Sequence, residues 1–289
     1  MRFEAHIPAT LEDALVLLGK HAGEARVVAG GTDLFILMKS GMTTPGHLVS
    51  IGGLKQLKSV SDRNGVISIG AGLTHAVISG LPVLQEIPCL IQAARSVGSP
   101  QVRNAGTLGG NLANASPAAD LYPPLLALDA RVEIFRDGGE RTVDLASFVT
   151  GPGVSALAPG EIISRVFFSK PEGDFFCAHS KIGLRNALAV SVTSAAVAVG
   201  ADAGRLRNVR IACGAVAPIP LRMRKAESLL EGEAPTKGLL EEAGAVASSE
   251  CDPISDIRAT RQYRCHATGI NVSRLLKQAC AALLGYADE

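Results

Sequence analysis

Ala25-Arg26-Val27-Val28-Ala29-Gly30-Gly31-Thr32-Asp33-Leu34-Phe35-Ile36-Leu37-Met38-Lys39 is the stretch from which the organisation of the whole chain follows. Ala25 to Ala29 is a short apolar run, two glycines interrupt it, and Leu34 to Lys39 resumes an apolar pattern: strand, glycine turn, helix. Consecutive glycines let successive N–H groups point into one concavity, and a helix N-terminus adds partial positive charge. Both features suit a pyrophosphate. The competing reading is a Gly-Gly turn capped by Thr32 or Asp33, which needs no ligand at all.

A second loop of the same character lies further along. Gly106-Thr107-Leu108-Gly109-Gly110-Asn111 is followed by Asn114, Ser116 and Asp120, amide, hydroxyl and carboxylate groups suited to phosphate or sugar contacts. Two such loops in one half of the chain favour a ligand. Neither has the GxGxxG spacing, and Gly70-Ala71-Gly72-Leu73-Thr74-His75 lacks the third glycine, so a Rossmann dinucleotide fold is disfavoured.

Outward from these loops the chain divides into three units. Thr10 caps a helix with Asp13 at its third position and Leu11, Ala14, Leu15 and Leu18 on one face. His47 to Ile51 reads as a strand and closes a first unit, 1–56. The second, 57–170, opens with a hairpin, Leu57 to Val60 and Val66 to Ile69 around Ser61 to Gly65. It continues through a helix capped by Thr74, another over Ile87 to Val97, a Leu-rich helix near Pro124 to Leu128, and a hairpin of Arg131 to Phe135 with Arg141 to Leu145. In the third, 171–289, Phe175 to Ile182, Ala187 to Gly200 and Arg205 to Ala217 read as three antiparallel strands, and the remainder is helical with arginines at 258, 261 and 264. The fold class is α+β: two α/β lobes, then an α+β domain with a three-stranded antiparallel sheet.

Composition narrows the function. The 289 residues carry a formal net charge of +1, with 47% apolar and 19% charged residues, so no broad basic field attracts nucleic acid or an anionic membrane. The most apolar stretch, Ala187 to Ala201, is too short and too polar to span a bilayer. The N-terminus lacks the apolar core of a secretion signal, and a cytoplasmic location is expected. Six cysteines are scattered without disulfide or knuckle spacing, and six histidines show no close ligand spacing, so no metal site is expected. Against 31 glycines there is no tryptophan. The chain is rich in tight backbone turns and poor in stacking platforms.

Taken in order, Ala29-Gly30-Gly31-Thr32-Asp33 with Met38-Lys39, Ile69-Gly70-Ala71-Gly72-Leu73-Thr74, Gly98-Ser99-Pro100-Gln101-Val102-Arg103-Asn104, Thr107-Leu108-Gly109-Gly110-Asn111 and Asn114-Ala115-Ser116-Pro117 resemble the FAD-binding medium subunit of the molybdenum hydroxylases, the group of xanthine dehydrogenase and carbon monoxide dehydrogenase. Lys181-Ile182-Gly183-Leu184-Arg185 and Gly214-Ala215-Val216-Ala217-Pro218 are similar to that family's C-terminal flavoprotein domain. The resemblance implies FAD as cofactor. Val28, Ala29, Gly30, Gly31, Thr32, Asp33 and Leu34 would wrap its pyrophosphate, with Leu34 nearer the flavin, and Thr107, Gly109, Gly110, Asn111, Ser116 and Asp120 would form the opposite wall. Val97 and Ile163 match positions flanking the adenine, with plain core packing as the other reading, and Lys181 matches a basic residue close to the cofactor.

The function so implied is electron transfer from the 2Fe-2S clusters of an iron–sulfur subunit, fed by a molybdenum cofactor-binding large subunit, to an acceptor such as NAD or a quinone. The flavin ring carries the chemistry, and no protein acid, base or nucleophile is required. The length and the scattered thiols leave no place for the cysteine-bearing insertion that holds a 4Fe-4S cluster in one subfamily. The alternatives are a non-catalytic scaffold subunit and a free-standing flavin oxidase.

Overall fold

In the computed structural model, which describes residues 2–185 and 188–286, the N-terminal unit is a small parallel sheet. Its elements are β1 (Glu4–His6), α1 (Leu11–Lys20), β2 (Ala25–Val28), α2 (Leu34–Lys39) and β3 (His47–Ser50), with strand order β1-β3-β2. Helix α1 begins as the sequence dictates: the Thr10 hydroxyl accepts from the Asp13 N–H at 3.0 Å, and the Asp13 carboxylate accepts from the Thr10 N–H at 3.1 Å, a capping box. Leu11, Ala14 and Leu18 then bury one face of the helix against Val49, Ile51 and Leu57.

The second unit is a five-stranded antiparallel sheet, order β4-β5-β10-β6-β7, covered by short helices. In chain order it comprises β4 (Val60–Arg63), β5 (Val66–Gly70), α3 (His75–Ile78), α4 (Pro88–Ser96), α5 (Pro100–Ala105), α6 (Leu108–Ala113), α7 (Tyr122–Ala127), β6 (Arg131–Arg136) and β7 (Gly139–Asp144). The small pair β8 (Val149–Gly151) and β9 (Val154–Ser155) follows, then β10 (Ile162–Ser169). The first hairpin is displaced from its expected position, because Asn64 at φ 52° and Gly65 at φ 73° make the turn alone and the strands run up to them. Leu57 instead ends up in a short 3-10 turn, Lys55–Lys58. The main core lies between this sheet and α4, α6 and α7, where the buried Tyr122 hydroxyl donates to the Leu112 carbonyl at 2.9 Å.

The C-terminal unit packs helices on an antiparallel sheet of β11 (Phe175–Ile182), β12 (Thr193–Asp202), β13 (Arg205–Gly214) and β14 (Leu221–Arg222). Strand β11 matches the expected span. The strand expected from Ala187 begins instead at Thr193; Ala187 lies outside the described residues, and Leu188, at φ 57°, is incompatible with an extended ladder. Likewise β13 stops at Gly214 because Ala215 sits at φ 60°. The three-stranded sheet gains a fourth strand, β14, whose two residues are too short for any periodicity to register. Helices α8 (Arg224–Leu230), α9 (Lys237–Ser249) and α10 (Arg261–Leu284) complete it. Of the arginines at 258, 261 and 264, Arg264 is buried and, with Arg258, pairs with Asp256, while Arg261 pairs with Asp252. Among the described residues no helix is long and apolar enough to cross a membrane.

Candidate functional site

Three of the sequence motifs converge at the junction of the first two units. The 29–33 loop leaves the C-terminal end of β2 and lies against the end of α5. A Cβ on Gly30 would fall 1.9 Å from the Ala105 carbonyl oxygen and 3.0 Å from the Gly106 nitrogen, so only glycine allows the two backbones to meet. Gly31 follows at φ 68°, a left-handed conformation, with the Phe35 ring 2.4 Å from where its Cβ would stand. Among the described residues, the N–H groups of Gly30, Gly31, Thr32 and Asp33 donate to no protein acceptor. Asp33 occupies the N-cap of α2 but its side chain makes no capping bond; its contact is with the Thr32 hydroxyl at 3.4 Å. The self-capped turn, the ligand-free reading of this loop, is therefore not what forms.

The facing wall is zipped to the 70–74 segment. Gly109 N–H donates to the Ala71 carbonyl at 2.7 Å, Leu108 N–H to Leu73 at 2.9 Å and His75 N–H to Gly106 at 3.0 Å. A Cβ on Gly109 would lie 2.8 Å from that of Ala71. The Thr107 hydroxyl caps α6 by accepting from Gly110 N–H at 3.1 Å, Gly110 is exposed, and Asn111 Oδ1 is buried without a hydrogen-bond partner among the described residues. A buried, unsatisfied amide oxygen is uncommon in a folded chain. Ile163 packs in the main core; its neighbour Ser164 accepts from Ala71 N–H at 3.0 Å, which ties β10 to the same segment.

Val97, Asp120 and Lys181 form a second group. Asp120 is buried and receives the Lys181 ammonium at 2.7 Å on one oxygen and the Ser191 hydroxyl at 2.8 Å on the other. Lys181 also donates to the Ser96 carbonyl at 3.0 Å, beside buried Val97. Burial pushes the Asp120 carboxyl up, against the opposing pull of Lys181 and Ser191. Ser116 is half-buried and accepts from Ala118 N–H at 3.3 Å, and the adjacent Pro117 carbonyl accepts from Ala215 N–H at 2.7 Å, a contact with the C-terminal unit.

Sequence reasoning passed over three residues here. Arg103 donates to the Val97 and Gly98 carbonyls at 2.9 and 3.0 Å. His75, under Gly106, is held at a pKa of about 4 by burial and by Arg103, and His179 at about 3 by burial and by Lys181. Both are neutral imidazoles at pH 7. Arg103 stands inside the 98–104 motif and His75 directly follows Thr74 in the 70–75 segment, whereas His179 has no local signal.

Residues 1–171 match the family described as the FAD binding domain in molybdopterin dehydrogenase, and residues 178–279 match the CO dehydrogenase flavoprotein C-terminal domain. The chain is 32% identical over 283 residues to the xanthine dehydrogenase FAD-binding subunit of Escherichia coli O157:H7, covering 97% of each. It is 31% identical over 285 residues to the carbon monoxide dehydrogenase medium chain of Hydrogenophaga pseudoflava, covering 97% of this chain and 98% of that one. The solved carbon monoxide dehydrogenase from H. pseudoflava has the same fold, with a TM-score of 0.95 at 30% identity over 98% of this chain and 99% of that one. Quinoline 2-oxidoreductase from Pseudomonas putida 86 gives a TM-score of 0.92 at 27% identity over 98% of each chain. Fold, loops and relatives together define a flavoprotein, an oxidoreductase component with FAD as its cofactor. Within that class, the chain belongs to the FAD-binding subunits of the molybdopterin dehydrogenases.

Proposed function

We propose that this chain holds FAD between its two glycine loops and passes reducing equivalents from the 2Fe-2S clusters of an iron–sulfur subunit, supplied by a molybdenum cofactor-binding large subunit, to an acceptor such as NAD or a quinone. The observation that carries the reading is the approach of Gly30 to Ala105 and Gly106, which sets the unpaired N–H groups of the 30–33 loop beside the wall that ends at Asn111. The residues fit the cofactor. Backbone N–H groups of residues 30–33 without a protein acceptor suit a pyrophosphate, the close Gly30–Ala105 approach brings the two loops together, and the orphaned Asn111 Oδ1 is an acceptor awaiting a donor.

In this assignment Val28 to Leu34 line the pyrophosphate, with Leu34 toward the flavin, and Thr107, Gly109, Gly110 and Asn111 face it. Ser116, Asp120 and Lys181 extend the wall, and Val97 and Ile163 lie on the adenine side. FAD supplies the redox chemistry when bound, while the chain contributes position and electrostatics. The Asp120–Lys181 pair, with the Ser96 carbonyl as a further acceptor, fixes the Lys181 side chain in one place within that wall.

The test is rapid mixing. The isolated FAD-loaded chain is expected to leave purines, aldehydes and carbon monoxide untouched, and its flavin band to bleach once co-expressed iron–sulfur and molybdenum subunits are present with their substrate. Turnover by the isolated chain, or failure to recover an iron–sulfur subunit with it, overturns the relay.

A further inference from the structure

We propose that His6, His21 and His47 form a binding site for a divalent transition-metal ion of the zinc class, at the opposite end of the N-terminal sheet from the glycine loop. This inference is independent of the flavin assignment.

The three histidines come from separate stretches of sequence and are delivered by the fold. Parallel pairing sets His47, the first residue of the central strand β3, opposite Glu4 on β1 and Ala25 on β2. His6 ends β1, and His21 is the C-cap residue of α1. One ring nitrogen from each of the three lies within 4.8 Å of the other two, and all three residues are half-buried. His6 Nε2 and His47 Nδ1 are 3.0 Å apart. Two nitrogens on a tetrahedral zinc with bonds of about 2.0–2.1 Å stand roughly 3.3 Å apart, so this pair already has close to ligand spacing.

The third imidazole is the one with nothing else to do. His21 Nε2 is buried and without a hydrogen-bond partner among the described residues, although its ring lies only 3.7 Å, centroid to centroid, from that of His47. Glu4 Oε2, 3.7 Å from His47 Nδ1, supplies a carboxylate for a fourth position. Neutral imidazole nitrogens with one carboxylate are a donor set that suits zinc, nickel or copper rather than magnesium or calcium, which take oxygen ligands. Binding would draw the three nitrogens together and fan the rings out of their stack, clipping the N-terminal strand, the end of α1 and the start of β3 to one another.

The test uses the full-length, tag-free, FAD-loaded chain after dialysis against a chelator. Titration with Zn²⁺ by calorimetry is expected to show saturable binding of one ion per chain, and Co²⁺ to give the visible bands of a four-coordinate site. His21→Asn and His47→Asn should each weaken Zn²⁺ binding by roughly tenfold or more. His266→Asn, an exposed position on α10, should leave it unchanged. Flavin absorbance reports the folding of each variant independently. In the unsubstituted chain, the imidazole ¹⁵N resonances of the three histidines should shift on Zn²⁺ addition, a readout that needs no variant. Absence of saturable binding, unmoved imidazole resonances, or full affinity retained in both His21→Asn and His47→Asn overturns the site and leaves three stacked rings joined by the His6–His47 hydrogen bond.

Discussion

The two ends of the N-terminal sheet are built from different material. Where β2 ends, the candidate flavin cradle is made of main chain: Gly30 against Ala105, Gly31 in a left-handed conformation, and a row of N–H groups. Where β3 begins, the polar groups are three imidazole side chains from three elements. A backbone site tolerates no added carbon but is indifferent to which head groups surround it. A side-chain site tolerates small changes of backbone but loses its chemistry with one head group.

The largest effect is expected at Gly30. In Gly30→Ala the Cβ overlaps the Ala105 carbonyl, an atom no rotamer change can move, and FAD content should fall to a small fraction of that of the unsubstituted chain. Gly31→Val and Gly110→Val should follow in that direction, whereas Gly53→Ala, which meets nothing within 4 Å, should keep its flavin. The ratio of flavin to protein absorbance is the measurement. Full occupancy in Gly30→Ala would break the contrast between the two ends.

Next in size is the buried ion pair. Lys181→Met leaves Asp120 with a buried carboxylate and only the Ser191 hydroxyl, a loss of about 3–5 kcal/mol in urea unfolding. The double variant Asp120→Leu/Lys181→Met should recover most of it. A double variant as unstable as the single one would show that the pair does more than neutralise itself.

A smaller effect is expected with pH. His75 and His179 titrate near 4 and 3 in the fold and near 6.5 when unfolded, so below pH 6.5 the unfolded chain binds more protons. Their stabilisation is complete above about pH 6.5 and declines as pH falls toward 4, by about 1.4 kcal/mol per pH unit for each histidine. Denaturant melts from pH 7 to 4.5 should show His179→Leu losing stability with a slope shallower by one histidine's share. An unchanged slope would mean that His179 is already free to protonate in the fold.

The smallest effect sharpens the comparison most. His47→Asn should leave FAD content unchanged, because His47 and the glycine loop lie at opposite ends of the strands, separated by about 13 Å at 3.3 Å per residue. Flavin loss in this variant would mean that the two ends communicate through β2 and β3.

The same contrast explains what could be read from the sequence. The glycine loops were legible because close backbone approach demands glycine at adjacent positions, and the α1 capping box because its partners are three residues apart. The histidines at 6, 21 and 47 were not, since parallel pairing of β1 with β3 brings them together and no local spacing records that pairing. Asp120 was singled out as a polar group after the second glycine loop and Lys181 by resemblance alone; their mutual 2.7 Å bond joins residues far apart in the chain and left no local trace. Strand β10 went unassigned although Ile162 to Phe168 is a largely apolar run between Gly160 and Pro171. Its alternation is blurred by burial on both faces and by the irregular register between Ile163 and Arg165.

The position of β10 also bears on how the chain reaches its fold. It is the last strand of the second unit to leave the ribosome, yet it sits in the middle of the sheet, between β5 and β6. The β4–β5 and β6–β7 hairpins close over short turns and are able to form early, but they have no common sheet until Ile162 to Ser169 has been synthesised and inserted between them. Completing the sheet therefore requires a long-range step, the pairing of β10 with β5 across most of the unit's length. Until then, each hairpin exposes an unpaired edge to neighbouring nascent chains.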